Sequence, residues 1–132
     1  MTRNRRTGTP FTVSMRQDVA GTYAGGWKAA DRAGSWGGTV RTSTTTGASV
    51  TLHVKARNVA VIGTRGHGYG SFDEYVDGRL VGTVNTHAAS FQAHEIVARW
   101  GWAATGDHTI RLVSRGTRGH PRIDIDGFVL FH

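Results

Sequence analysis

The chain has 132 residues, enough for one domain with its own core, and its 19 Gly against 2 Pro point to frequent glycine-built turns. It has no Cys, which excludes a disulfide framework and a thiolate metal site, and no apolar run approaches the roughly 18 residues of a membrane-spanning helix. A net charge of +7 leaves room for polyanionic partners or for plain solubility.

Met1 to Pro10 is polar, basic and unpatterned, and reads as a tail or linker carrying Arg3, Arg5 and Arg6. It lacks the apolar centre of a signal peptide, so if the native protein is secreted, this chain is an excised module. Residues 11–132 read as one module. Phe11 to Met15 alternates and predicts an opening strand. Gln17 to Gly26 reads as a loop, Trp27 to Ala30 is ambiguous, and Ala33 to Gly38 is a turn cluster presenting Trp36. Thr39 to Thr46 is β-branched and predicts a strand. After Gly47-Ala48, the segment Ser49 to Lys55 alternates Val50, Leu52 and Val54 with polar residues, as a half-buried strand does.

Val59 to Ile62 is a short apolar run, broken by the Gly-rich loop Gly63 to Gly68. Phe72 to Val76 and Leu80 to Val84 predict a hairpin joined at Asp77-Gly78, because Gly supplies the positive φ that the turn needs. Thr86 to Ser90 is a loop. Phe91 to Trp102 fits either a bent strand or, over FQAHEIVARW, a helix, and its periodicity does not settle which. Ala103 to Asp107 is expected to turn the chain into the alternating strand His108 to Ser114. A second basic Gly-rich loop, Arg115 to Pro121, precedes a last strand from Arg122 to Phe131 with Ile123, Ile125, Phe128 and Leu130 in the core. Some eight strands punctuated by turns, without a long amphipathic helix, predict an all-β fold, an antiparallel sandwich or barrel.

Several phrases occur in series: Tyr23-Ala-Gly-Gly-Trp27, Gly37-Gly-Thr-Val-Arg41, Gly47-Ala-Ser-Val-Thr51, Val59-Ala-Val-Ile-Gly-Thr-Arg-Gly66, Tyr75-Val-Asp-Gly78 and Arg122-Ile-Asp-Ile-Asp126. Together they resemble a C-terminal module of secreted actinobacterial proteins, one of the galactose-binding-like jelly rolls that include many carbohydrate-binding modules. The resemblance implies an antiparallel jelly-roll β-sandwich, non-catalytic, extracellular, and attached to a catalytic or surface domain. It names no single ligand. The chain departs from the pattern at Ala93-His94-Glu95, where such modules often carry a Tyr-Arg-Gln-like triplet.

Three sets of residues are candidates for a site. Trp36 and Trp102, with Tyr69, offer flat apolar faces to sugar C–H groups; Trp27 and Trp100 fit core packing better, which is also the alternative for the first two. Arg65, His67, Arg118 and His120 lie in the basic Gly-rich loops, where a guanidinium fork suits hydroxyl pairs, carboxylates or phosphates. The alternative is a solvated turn whose Arg pairs with Asp73 or Glu74. GTRGHG lacks the Gly-Lys-Ser/Thr ending of a phosphate-binding loop. Asp124 and Asp126, two apart, are expected on the outer face of the last strand with Ile123 and Ile125 inside. They could start a calcium shell, although such a shell needs about 6–8 oxygens; pairing with Arg122 or capping a turn is the alternative. The resemblance supports calcium, since many jelly-roll modules hold a structural calcium near their terminal strands. His53 and His108 are expected at the surface, and the seven His show no metal-binding spacing.

Carbohydrate binding through loop aromatics and Arg is therefore the expected function, with nucleic acid disfavoured and no catalytic residues assigned. Two alternatives remain: a structural or docking domain with an exposed apolar patch, and a polyanion binder using the basic loops and the arginine arm.

Overall fold

A computed structural model describes residues 13–17 and 21–131, the former in backbone only. The tail at residues 1–10, and Phe11 at the head of the expected opening strand, lie outside the described residues. Among the described residues nine strands run in chain order: β1 (Val13–Gln17), β2 (Thr22–Ala24), β3 (Lys28–Asp31), β4 (Thr39–Ser43), β5 (Ser49–Arg65), β6 (Ser71–Val76), β7 (Arg79–Asn85), β8 (Gln92–Ser114) and β9 (Ile123–Phe131). A 3-10 turn, Trp36–Gly38, links β3 to β4. No helix among the described residues is long and apolar enough to cross a membrane.

All strand pairings are antiparallel, in the order β3-β4-β9-β5-β8-β6-β7, with β1 on β9 and β2 on β5. Two long strands turn this one sheet into a sandwich. The first half of β5 pairs with the second half of β8, which carries the β6–β7 hairpin. Its second half pairs with the first half of β8 and with β9. A register shift between Ala56 and Asn58 separates the halves, and a bulge there bends and twists the strand. The layers face each other through Val50, Leu52, Ile110, Leu112 and Phe72 on one side and Val59, Val61, Ile125, Phe128 and Leu130 on the other, all buried. The jelly-roll expectation holds.

Chain segmentation differs from the sequence reading in several places: β2 lies inside the expected loop Gln17 to Gly26, and β5 runs on through Gly63 to Arg65 of the expected Gly-rich loop. The strands expected at 49–55 and 59–62 are one 17-residue strand. The turn expected at Ala103 to Asp107 is absent, and β8 runs 23 residues through it. The polar stretch Lys55 to Asn58 of β5 and the stretch Ala103 to Asp107 of β8 are absorbed as an irregularity in one ladder, since β5 and β8 remain partners on either side of it. The Asp77-Gly78 hairpin forms as expected, with φ of 52° and 83° at the two turn residues.

Candidate functional site

Three loops meet beyond the end of β5. Gly66 bridges to His87 and Tyr69 to Arg122, and their backbones exchange hydrogen bonds. Gly66 N–H donates to the Thr86 carbonyl at 3.1 Å, and Gly70 N–H to the Arg122 carbonyl at 2.9 Å. A Cβ at Gly70 would collide with the His120 carbonyl and with Thr117, so glycine permits this close approach. The loops thus form one surface, carrying Arg65, His67, His87, Arg118 and His120.

Beneath this surface lies a buried polar network. Asp124 has no exposed side-chain area; its Oδ2 accepts from Tyr69 Oη at 2.6 Å and from Arg32 Nε at 2.9 Å. Burial first, then the bond to Asp124, pushes the Tyr69 phenol up to about 12. Asp126 is also enclosed; both of its oxygens accept from the Trp36 backbone N–H at 3.0 Å, and Oδ2 meets His94 Nδ1 at 2.7 Å. His94 holds a left-handed backbone, φ 55°, which is uncommon outside glycine. Arg32 Nη2, Ser35 Oγ, Thr64 Oγ1 and Asp124 Oδ1 are buried with no hydrogen-bond partner. The first three lie on residues that border the two aspartates in sequence turn or strand register.

The structure corrects several expectations. Asp124 and Asp126 do not face outward: both are as buried as Ile123 and Ile125, because β9 runs between β5 and β4 with the Arg32–Trp36 loop packed over its second face. Tyr69 is not an open sugar platform; it is 6% exposed and its hydroxyl is spent on Asp124. Trp102 lies elsewhere. Its indole stacks on His108 at 3.5 Å with 6° between planes, and His108 Nδ1 meets Asp77 Oδ2 at 2.8 Å. That end of the sandwich is some 20 Å along β5 from Arg65, at about 3.3 Å per residue from Asn58. His108 is thus sandwiched between Trp102 and the hairpin, whereas His53 is exposed as expected.

Of the remaining candidates, Arg65, His67, Arg118 and His120 lie on the joined loops. Trp36 is half-buried, with its backbone fixed by Asp126. Arg65 donates Nη1–H to the Asn85 carbonyl at 3.0 Å. His67 and Arg118 are exposed, and His120 Nδ1 meets the Tyr69 carbonyl at 2.7 Å. Tyr69 therefore joins the buried network to the loop surface. Asp73 pairs with Arg115 at 3.0 Å, not with Arg65. Trp27 and Trp100 pack against the core, as read from the sequence. Sequence reasoning missed Arg32, Thr64, His87 and the role of His94. Only His94 carried a signal, at the departure from the resemblance pattern.

The aspartate pair does not fit calcium. Three of its four oxygens already accept protein hydrogen bonds, and the Arg32 guanidinium sits on Asp124 where a cation would go. Among the described residues no group of three or more His, Asp or Glu could hold a metal ion. A separate groove of about 520 Å³ lies over the middle of β5 and β8, lined by Asn58, Ala60, Ile96, Arg99 and Trp100 among others.

No family model matches the chain. Solved structures carry the comparison. A native family 35 carbohydrate-binding module from Clostridium thermocellum superposes with a TM-score of 0.61 at 15% identity, covering 89% of this chain and 96% of that one. The module CBM36, in complex with calcium and xylotriose, gives 0.56 at 19% identity, covering 92% and 99%. The chain shares its fold with carbohydrate-binding modules. By sequence it is 29% identical over 112 residues to an A type blood N-acetyl-alpha-D-galactosamine deacetylase from Flavonifractor plautii. That match spans 85% of this chain and 14% of the deacetylase.

Proposed function

We propose that this domain is a non-catalytic glycan-binding module whose binding surface is the loop face around Trp36, Arg65, His67, Arg118 and His120. The observation that carries the reading is the anchoring of Trp36. Its backbone is held by a fully buried carboxylate that also holds His94, so a half-buried aromatic residue and a histidine in a left-handed backbone share one rigid anchor. Rigid support of half-exposed aromatic and cationic groups is what sugar recognition needs: a flat apolar face for the ring and donors for the hydroxyls. The shared fold with carbohydrate-binding modules supports the same reading. Tyr69 acts beneath this surface as a support, and Trp102 belongs to the opposite end.

The small fraction of the deacetylase matched supports a module carried by a larger protein with a catalytic or surface domain; we place that protein outside the cell on the resemblance alone. Calcium binding by Asp124 and Asp126 forms no part of this proposal.

A glycan-array screen of the purified domain, repeated with Trp36→Ala and Arg65→Ala, tests the reading. Binding to at least one glycan that falls at least tenfold in both folded variants is the expected result. Binding that is unchanged in both variants would overturn the assignment of the surface.

A further inference from the structure

The loop surface carries an uncompensated charge pattern. Segments 64–70, 85–92 and 115–122 contain Arg65, Arg115, Arg118 and Arg122 with His67, His87 and His120, and not one Asp or Glu. On the packed strands, Asp73 of β6 offsets Arg115 and accepts from Thr83, and Asp124 of β9 is taken by Arg32 and Tyr69. Glu74 of β6 and Glu95 of β8 form no ion pair with the loops among the described residues, which leaves Arg65, Arg118 and the three His without an acidic partner. Arg122 turns toward a neighbouring groove with Lys28. Arg118 is exposed, with no hydrogen-bond or ion-pair partner among the described residues.

The three imidazoles stand in a row. The ring centres of His67 and His87 are 5.4 Å apart, and those of His87 and His120 are 4.4 Å apart. A carbonyl only accepts, so the 2.7 Å contact of His120 Nδ1 with the Tyr69 carbonyl puts the proton on Nδ1. Protonation then adds a charge and a donor at Nε2 without breaking that bond. Three such rings repel one another once charged, and nothing acidic on the loops offsets them. An anion placed among them would.

We propose that this end of the domain recognises the acidic group of a glycan, a carboxylate or sulfate ester, through His67, His87, His120, Arg65 and Arg118, with proton uptake on binding. The inference rests on the glycan-binding reading and specifies its ligand. A saccharide fits better than a nucleic acid: the three imidazoles form one compact row instead of a stripe tracking a backbone, and the rings pack on each other instead of standing free to stack bases.

The test is calorimetric titration with a uronate-containing oligosaccharide, its carboxyl-reduced neutral counterpart and a single-stranded DNA oligomer. Buffers of different ionisation enthalpy count the protons taken up. The acidic oligosaccharide is expected to bind at least tenfold tighter than the reduced one. Its affinity should rise on acidification, by up to about tenfold per pH unit for each proton bound. His87→Gln, an exposed substitution, should cut the proton uptake, and Arg118→Gln should flatten the salt dependence.

Equal affinity for the acidic and reduced oligosaccharides, without proton uptake, would overturn this inference and leave the glycan-binding reading standing. Tighter binding of the DNA oligomer would overturn it in favour of nucleic acid. Failure of both saccharides to bind, together with an empty glycan array, would overturn the underlying reading as well.

Discussion

Replacing Tyr69 by Phe removes one oxygen and tests whether the buried network is a support or an accident of packing. The hydroxyl donates to Asp124 Oδ2 at 2.6 Å, and Arg32 Nε lies 3.0 Å from the same hydroxyl. Without it, a carboxylate with no exposed side-chain area keeps a single partner, Arg32. A hydrogen bond to a charged group contributes about 1.5–3 kcal/mol, so Tyr69→Phe should lose about 2 kcal/mol by urea denaturation. For a domain of this size that is a fall in Tm of roughly 6–10 °C. The pH dependence gives an independent check. The folded-state phenol, pushed up to about 12 from the usual 10, favours the fold while neutral. Its contribution is complete below pH 10 and is lost as pH rises through about 12, at about 1.4 kcal/mol per unit. The stability difference between wild type and Tyr69→Phe should therefore shrink over that window. Tyrosinate absorbance should show a late-ionising phase that the variant lacks. A variant within about 0.5 kcal/mol of wild type, or a late phase that survives the substitution, would refute the network as described.

Asp126→Asn should cost about 1–3 kcal/mol in denaturation, since Trp36 N–H and His94 both rest on this carboxylate, and glycan affinity should fall with it. Gly78→Ala should cost about 1 kcal/mol, because φ there is +83° with open space around the position, so only backbone strain opposes the new methyl. The carboxyl of Asp77 is held below the ordinary range, chiefly by His108 and then by the Thr109 N–H. Its contribution to stability is present at neutral pH and lost on acidification through that lowered value, so the Tm gap between wild type and Asp77→Asn should close in acid. Excess calcium or a chelator should leave Tm within about 1 °C, whereas a specifically bound ion at about 100 times its Kd would add about 2.7 kcal/mol.

The elements most legible in the sequence are those decided locally. Asp77-Gly78 announces its own turn, and the alternation of Val50, Leu52 and Val54 announces the buried face of β5. Turn-rich stretches misled where partner strands decided the outcome: Ala103 to Asp107 stays in β8 because β5 continues opposite on both sides. The same limit explains Asp124 and Asp126. Alternation places them opposite Ile123 and Ile125, which is right, but alternation cannot reveal that Arg32, 92 residues earlier in the chain, covers their face. The convergence of the two basic loops was visible only as composition, since His87 joins His67 and His120 through backbone bridges between distant segments.

The most direct test of the central claim is a heteronuclear NMR titration of the labelled domain with a glycan that the array identifies. The loop-face reading predicts amide shifts concentrated at residues 34–38, 64–70, 85–95 and 117–122. Shifts clustered instead around Trp102 and His108, or along the groove between Ile96 and Trp100, would contradict it.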